Sequence, residues 1–124
     1  MTTILVIEDD AQSRALFRDI LEVWHYLVLD AQDAEQGWEV MQRAVVDLVV
    51  MDIRLPGDSG EGLLLRMKQD DRLARLPVLA VTAFAMRGDR ERLLSAGFDD
   101  YVPKPIDTRV FPGVVHALLR DGAP

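Results

Sequence analysis

Residues 47–56 of the chain read DLVVMDIRLP, and this stretch decides the fold. Four consecutive apolar residues, Leu48–Met51, run without polar alternation, and two of them are β-branched. A short run of this kind is typical of a strand buried on both faces, as in a parallel sheet. Pro56 and Gly57 then predict that the strand gives way to a loop. Asp52 is therefore expected at the carboxyl end of a central strand, where open α/β sheets bind their ligands.

Similar apolar runs predict further strands at residues 4–7, 26–29, 78–82 and 100–102. Apolar residues at helical spacing predict five helices, near residues 10–25, 33–45, 60–70, 87–96 and 110–119. Strands and helices that alternate in this way indicate a parallel sheet covered by helices on both faces. The expected fold class is α/β, a flavodoxin-like, doubly wound (βα)5 parallel sheet with the strand order 2-1-3-4-5.

Helix ends carry their own signals. Asp10 is a good N-cap residue, and we expect it to cap the first helix rather than to bind a ligand. Asp33, followed three residues later by Gln36, predicts a capping box at the second helix. Gly97 is expected to end the fourth helix. Pro112-Gly113 falls near the start of the last helix and predicts a late start or an irregular first turn.

The size, charge and composition of the chain limit the classes of function that it can have. The 124 residues, of which 49% are hydrophobic, fit one domain spanning residues 1–124 with a core from 4 to 119. A net charge of -7 argues against nucleic-acid binding as the main task and favours cations or basic partner surfaces. There is no cysteine for disulfide or thiol chemistry. Without an apolar run of about 18 residues or a basic leader, the expected location is cytoplasmic, with no membrane partner.

Polar residues follow four of the predicted strands at one edge of the sheet. They are Glu8 and Asp9 after the first strand, Asp52 at the end of the third, Thr82 at the end of the fourth and Lys104 after the fifth. Each alone could be ordinary surface chemistry, such as a solvated strand end. Together they gather carboxylates, and two carboxylates about 5 Å apart repel by roughly 3 kcal/mol at an effective dielectric constant of about 20. Such a cluster is not kept for stability.

A divalent cation would relieve this repulsion. Oxygen ligands without a nearby histidine or cysteine favour a hard ion, and magnesium leaves room for a phosphoryl group among its ligands. The ammonium of Lys104 and the hydroxyl of Thr82 can both bind phosphoryl oxygens. An aspartate beside them can act as a nucleophile and form an acyl phosphate. The residues therefore predict a magnesium-dependent phosphoryl-transfer site.

In their order and separation these motifs resemble the receiver domain of two-component response regulators, over residues 4 to about 119. The matching pieces are Ile7–Asp10, Met51–Pro56 with Gly60, Val81–Ala83 and Tyr101–Ile106. Residues 81–86, with Gly88 and Asp89, are similar to stand-alone receivers of the DivK type, which regulate the cell cycle and polarity in some bacteria. They are also similar to receivers attached to hybrid histidine kinases.

The resemblance implies a phosphoacceptor and a metal site. Asp52 matches the aspartate that accepts the phosphoryl group. Glu8 and Asp9 match the acidic pair that holds Mg²⁺, which Asp52 and the backbone carbonyl of Arg54 would complete.

The resemblance also implies a switch. Thr82 matches the switch hydroxyl, and Lys104 matches the lysine that binds the phosphate. Tyr101 matches the aromatic switch residue that turns inward; the less favoured alternative is an ordinary core or surface residue. The bond between Lys104 and Pro105 is expected to be cis and to hold the lysine in place.

The implied function is phosphorelay signal transduction. A histidine kinase or a histidine phosphotransfer protein would donate to Asp52, and an unidentified downstream protein would bind the face built from the fourth helix, fifth strand and fifth helix. We expect a phosphoacceptor that assists its own phosphorylation and dephosphorylation rather than a turnover enzyme, as a monomer or weak homodimer. Two alternatives stay open: a pseudo-receiver that is not phosphorylated, or an aspartyl-phosphate phosphatase. The sequence pattern of such phosphatases has a second aspartate at the position of Arg54.

Overall fold

The computed structural model describes residues 1–55, 59–83 and 87–121. Its sheet is parallel throughout, with the order β2-β1-β3-β4-β5. The strands are β1 (Thr3–Ile7), β2 (Leu27–Ala31), β3 (Leu48–Asp52), β4 (Val78–Thr82) and β5 (Asp100–Pro103). The helices between and after them are α1 (Ala11–Val23), α2 (Ala34–Arg43), α3 (Gly60–Lys68), α4 (Asp89–Ala96) and α5 (Phe111–Asp121). The predicted flavodoxin-like α/β fold is confirmed.

The unalternating strands fill two separate cores. Successive residues of a strand point to opposite faces, so each apolar run supplies both sides of the sheet. Leu5 and Val49 pack on the side covered by α2, α3 and α4. Their sequence neighbours Ile4 and Leu48 pack on the side covered by α1 and α5. All four side chains are fully buried, which explains why the runs contain no polar residue.

Parallel pairing brings the carboxyl ends of the strands to one rim. Ile7 lies opposite Met51, and Asp52 lies opposite Val81. On the far side of β4, Thr82 pairs with Pro103. The residues that end or directly follow these strands therefore meet at the same edge of the sheet.

The predicted helix caps are confirmed. Asp10 accepts a hydrogen bond at 3.0 Å from the backbone N–H of Ser13 and so caps α1. Asp33 accepts a hydrogen bond at 2.8 Å from the backbone N–H of Gln36 and caps α2. Gly97 has a φ of 116°, the left-handed conformation that favours glycine at a helix end, and α4 stops there.

Several boundaries differ from the predictions. β2 runs from Leu27 to Ala31 rather than from 26 to 29, α3 ends at Lys68 and α4 begins at Asp89. The late start predicted for the last helix is wrong, because α5 begins at Phe111, before Pro112. Its proline is the second helical residue, where a missing backbone N–H leaves no hydrogen bond unmade. The irregular first turn stays a prediction.

Two apolar residues that the predicted helix ranges include lie beyond the helices and are exposed. α2 ends at Arg43, so Val45 lies beyond it and is 85% exposed. α1 ends at Val23, so Trp24 occupies the C-cap and is 53% exposed. In both cases the apolar spacing continues past the last helical residue.

Some expectations fall outside the described residues. They concern the strand stop at Pro56 and Gly57 and the residues Phe84, Ala85 and Met86. Over the residues that the structure does describe, no helix has the length and apolar character needed to cross a membrane.

Candidate functional site

Three carboxylates meet at the rim. Glu8 and Asp9 directly follow β1, and Asp52 is the last residue of β3. One carboxylate oxygen from each lies within 4.8 Å of the others. Glu8 is 1% exposed and Asp52 is 8% exposed, whereas Asp9 faces solvent. The site therefore contains two buried acids, Glu8 and Asp52, and an exposed third acid, Asp9, at its entrance.

Lys104 reaches this cluster from the end of β5. Its ammonium donates a hydrogen bond to Asp52 Oδ2 at 3.0 Å and another to Glu8 Oε1. The backbone N–H of Lys104 donates to the carbonyl of Thr82 at 2.7 Å, which ties the lysine to the end of β4. The peptide bond between Lys104 and Pro105 is cis.

Burial and charge shift the pKa values of this group. Burial raises the pKa of Glu8 from 4.5 to about 7; the hydrogen bond from Lys104 opposes this shift, and neighbouring Asp52 adds to it. Burial alone would lower the pKa of Lys104, but its bonds to Glu8 and Asp52 outweigh burial and hold that pKa above its usual value. The lysine thus stays charged while Glu8 is poised to exchange a proton near neutral pH.

The two oxygens of Asp52 have different partners. Oδ2 faces Lys104, and Oδ1 accepts a hydrogen bond at 2.9 Å from the backbone N–H of Arg54. This places Arg54 directly beyond the carboxylate, at the start of the loop that leaves β3. The part predicted for the carbonyl of Arg54 in metal binding stays a prediction.

Gly60 allows α3 to begin against the end of β3. A Cβ at this position would lie 2.7 Å from the backbone oxygen of Asp52 and 3.0 Å from Cα of Ile53. The backbone N–H of Gly60 donates to the carbonyl of Ile53 at 2.9 Å. Only glycine fits this approach without a shift of the backbone that carries Asp52.

The two predicted switch residues lie at different depths. Thr82 ends β4 at the rim and is 6% exposed. Tyr101 lies in β5, is half-buried and packs against the core on the α2–α4 side. The structure thus gathers Glu8, Asp9 and Asp52 around Lys104 and puts Thr82 at the same rim. The switching roles themselves stay predictions.

Arg14 also belongs to this site, although no motif in the sequence points to it. Its Nη1 donates hydrogen bonds to the backbone carbonyls of Glu8 at 2.8 Å and Asp9 at 3.1 Å. A basic residue in the first turn of the helix that follows an acidic pair is the only sign of it in the sequence. The contact depends on the path of the loop, which the sequence does not reveal.

The donor set fits a hard divalent cation. It consists of carboxylate oxygens, and no histidine belongs to the cluster found among the described residues. Magnesium and calcium prefer such oxygen ligands. An ion here would also offset the repulsion between acids that a single lysine only partly balances.

The family follows from comparison with known proteins. A sequence model of the response regulator receiver domain matches residues 4–115. The chain belongs to the response regulator receiver domain family. The polar-differentiation response regulator DivK of Brucella anthropi is 35% identical over 119 residues, which cover 96% of this chain and 97% of that protein. The predicted family and its likeness to DivK are confirmed.

Solved receiver domains share the fold. The Francisella response regulator 1452 receiver domain superposes with a TM-score of 0.91 at 21% identity, covering 99% of this chain and all of that one. The receiver domain of a sensor histidine kinase from Pseudomonas aeruginosa has a TM-score of 0.87 at 28% identity, covering 96% and 98%. That structure carries a magnesium ion coordinated in its active-site cleft. The present domain is thus a receiver of two-component signalling with an acidic cluster typical of the family.

Proposed function

We propose that this receiver domain works in a phosphorelay and takes up a phosphoryl group on Asp52 with Mg²⁺ present. The observation that carries the proposal is the ammonium of Lys104, bonded to both Asp52 and Glu8 at the rim where Asp9 also lies. A nucleophilic carboxylate, a metal-binding acidic pair and a fixed cation are the groups that phosphoryl transfer to an aspartate needs.

The transfer makes one bond and breaks one. A carboxylate oxygen of Asp52 attacks the phosphorus of a phosphohistidine on a histidine kinase or a histidine phosphotransfer protein. The P–N bond breaks, and its electron pair stays on the imidazole nitrogen of the donor. The product is an acyl phosphate on Asp52, whose new charge the ammonium of Lys104 partly compensates.

Glu8, Asp9, Asp52 and the backbone carbonyl of Arg54 are the groups that would hold Mg²⁺. When bound, the ion supplies positive charge to the carboxylates and to the phosphoryl oxygens. The three side chains supply oxygen ligands within 4.8 Å of one another, which supports this assignment.

A cavity beside Lys104 gives a phosphodonor room to approach. It has a volume of about 370 Å³ and lies between α1 and the segment after β5. Leu16, which is 43% exposed, and the small, exposed residue Ala83 belong to its lining. An apolar floor next to a charged rim suits a protein donor that presents a histidine.

Phosphorylation would act as a switch. In the proposed sequence the new charge draws in Thr82 and Lys104, and Tyr101 follows towards the core. This shifts a two-state equilibrium on the face formed by α4, β5 and α5, which then binds a downstream protein.

Labelling with a small phosphodonor tests the nucleophile. With radiolabelled acetyl phosphate and magnesium, the parent chain is expected to take up about one label per chain, and Asp52→Asn none. Asp30→Asn is a matched control, because Asp30 is an exposed carboxylate in the neighbouring strand β2. Equal labelling of Asp52→Asn and the parent would overturn the assignment.

Two further measurements separate the alternatives. Beryllofluoride with magnesium should raise the melting temperature of the parent, because a ligand bound only by the folded state stabilises it. No rise, together with no labelling, would favour a pseudo-receiver that is never phosphorylated. Sustained phosphate release from sugar phosphates would instead favour a phosphatase.

A further inference from the structure

We propose that Arg14 is a positioning residue for the metal-binding acidic pair. Its guanidinium fixes the backbone of Glu8 and Asp9, and through it the position of their carboxylates. The inference rests on the proposed function, since it concerns the affinity of the same site for Mg²⁺. It assigns a role to a residue outside the set of acids, threonine and lysine that the sequence predicts.

One nitrogen of Arg14 holds two consecutive carbonyls. Nη1 donates to the carbonyl oxygen of Glu8 at 2.8 Å and to that of Asp9 at 3.1 Å. Arg14 is half-buried, and it forms no ion pair with any residue that the structure describes. Its hydrogen bonds are therefore directed at the backbone of Glu8 and Asp9 rather than at a carboxylate.

These carbonyls lie where the sheet no longer supplies partners. The pairing of β1 with β2 ends at Ile7, and the last bond of this ladder runs from the N–H of Glu8 to the carbonyl of Ala31 at 3.0 Å. Beyond that point the chain turns towards α1. Arg14 provides donors that the next strand residue would otherwise provide.

The side chain of Asp9 depends most on this support. Within the described part of the chain its carboxylate accepts no hydrogen bond, whereas Glu8 is held by Lys104 and by the backbone N–H of Asp10. The position of the Asp9 carboxylate therefore follows from its backbone alone. Release of that backbone should cost metal affinity without removing a ligand.

Positioning and simple charge predict opposite results. A cation near the site repels Mg²⁺, so if charge alone mattered, Arg14→Met would bind the ion more tightly and Arg14→Lys would bind it unchanged. If Arg14 positions the loop, Arg14→Met weakens binding. Arg14→Lys also weakens it, although the charge is kept, because an ammonium on a flexible stem does not reproduce the planar guanidinium.

Isothermal titration calorimetry of the full chain with Mg²⁺ decides between them. We expect Arg14→Met to bind about tenfold more weakly than the parent, within the range for residues that orient metal ligands, and Arg14→Lys to lie between the two. Initial rates of labelling by acetyl phosphate should fall at low magnesium and return to the parent value at saturating magnesium. A tighter or unchanged Arg14→Met would overturn the inference.

Arg18 offers a matched control one helical turn further on. Its guanidinium also donates to a backbone carbonyl, that of Val28 at 3.1 Å, but it pairs with Glu22 and Asp30 and touches neither metal-binding acid. Arg18→Met should lower the melting temperature and leave the affinity for Mg²⁺ unchanged. Equal losses of affinity in the Arg14 and Arg18 variants would show a general loss of structure and overturn the inference. If the parent itself binds no Mg²⁺, the proposed function fails as well, whereas unchanged Arg14 variants of a Mg²⁺-binding parent refute this inference alone.

Discussion

The ammonium of Lys104 lies 3.0 Å from Asp52 Oδ2 and also bonds Glu8, so one cation from the end of β5 serves two buried acids from two other strands. Asp9 adds a third acid at the mouth of the site. With every group ionised, the cluster carries an excess of negative charge. Binding of a cation at this site should therefore stabilise the folded domain.

Removal of the lysine charge should destabilise the metal-free domain. Lys104→Met leaves Glu8 and Asp52 buried without a cation, and we expect a loss of about 1–3 kcal/mol in the free energy of unfolding above the pKa of Glu8. The loss should shrink at lower pH, where Glu8 takes up a proton. Urea unfolding at several pH values measures both effects.

A lysine elsewhere on the surface provides the control for this substitution. Lys68 is exposed, and its ammonium donates only to the carbonyl of Ala74 at 3.2 Å among the described residues. Lys68→Met should change stability little at any pH. If the two variants behave alike, Lys104 does not compensate the negative charges of Glu8 and Asp52.

Binding of Mg²⁺ should tighten as the pH rises. Because burial raises the pKa of Glu8 to about 7, a metal ion must displace a proton from this carboxyl below that value. Affinity should fall by nearly tenfold per pH unit below the pKa and level off above it. Titrations one unit below and one unit above the pKa check this, and proton release measured in buffers of different ionisation enthalpy gives the number of protons. A flat profile would contradict the raised pKa.

The same pKa predicts how stability without metal depends on pH. Between 4.5 and about 7 the folded state keeps a proton on Glu8 that the unfolded chain has lost. The contribution is therefore fully present below 4.5 and is lost as the pH rises through about 7. Glu8→Gln should remove this pH dependence, and Glu22→Gln, at an exposed position on α1, should keep it. A parent whose stability rises steadily over this interval would oppose the assignment to Glu8.

The adjacent acids Asp9 and Asp10 should respond in opposite ways to substitution. Asp10 caps α1 through the backbone N–H of Ser13, so Asp10→Ala should lower the melting temperature by a few degrees and keep the stabilisation by magnesium. The carboxylate of Asp9 accepts no hydrogen bond within the described residues, so Asp9→Asn should leave the metal-free melting temperature unchanged or higher and abolish the stabilisation by magnesium. Thermal melts with and without magnesium test both. The reverse pattern would make Asp10 the ligand.

The order of the strands and the position of the site at the carboxyl edge of the sheet could be predicted, because both follow from short-range sequence patterns. Unalternating apolar runs indicate strands buried on both faces, and parallel strands put their carboxyl ends on one edge. That is sufficient to gather Glu8, Asp52 and Lys104. Helix ends were less predictable, since apolar spacing continues through Trp24 and Val45 after the backbone has left the helix.

The contacts of Arg14 could not be predicted, because they join a side chain to backbone carbonyls. Such a bond depends on the path of the loop and on the rotamer of the arginine, and neither leaves a pattern in the sequence. For the same reason the sequence does not tell that the ammonium of Lys104 bonds Glu8 as well as Asp52. Residue types predicted the chemistry of the site, but the geometry of the loops sets which atoms meet.

Gly60 should be required for both stability and metal binding. A Cβ there would lie 2.7 Å from the backbone oxygen of Asp52, so Gly60→Ala must push α3 away from the end of β3. We expect a loss of about 1–3 kcal/mol in the free energy of unfolding. Affinity for Mg²⁺ should also fall, because the backbone that moves carries Asp52. Urea unfolding and calorimetric titration with magnesium measure the two effects.

Gly113 in α5 is the matched control for this substitution. A Cβ at Gly113 has nothing within 4 Å, and the residue is exposed within a helix. Gly113→Ala should therefore stabilise the domain by about 0.5–1 kcal/mol, since alanine is the better helix former, and should leave Mg²⁺ affinity unchanged. If Gly60→Ala is as stable as the parent and binds Mg²⁺ equally well, the close approach of α3 to β3 does not hold Asp52 in place. If both variants lose the same amount of stability, the contact between Gly60 and the backbone of Asp52 is not the cause of the loss.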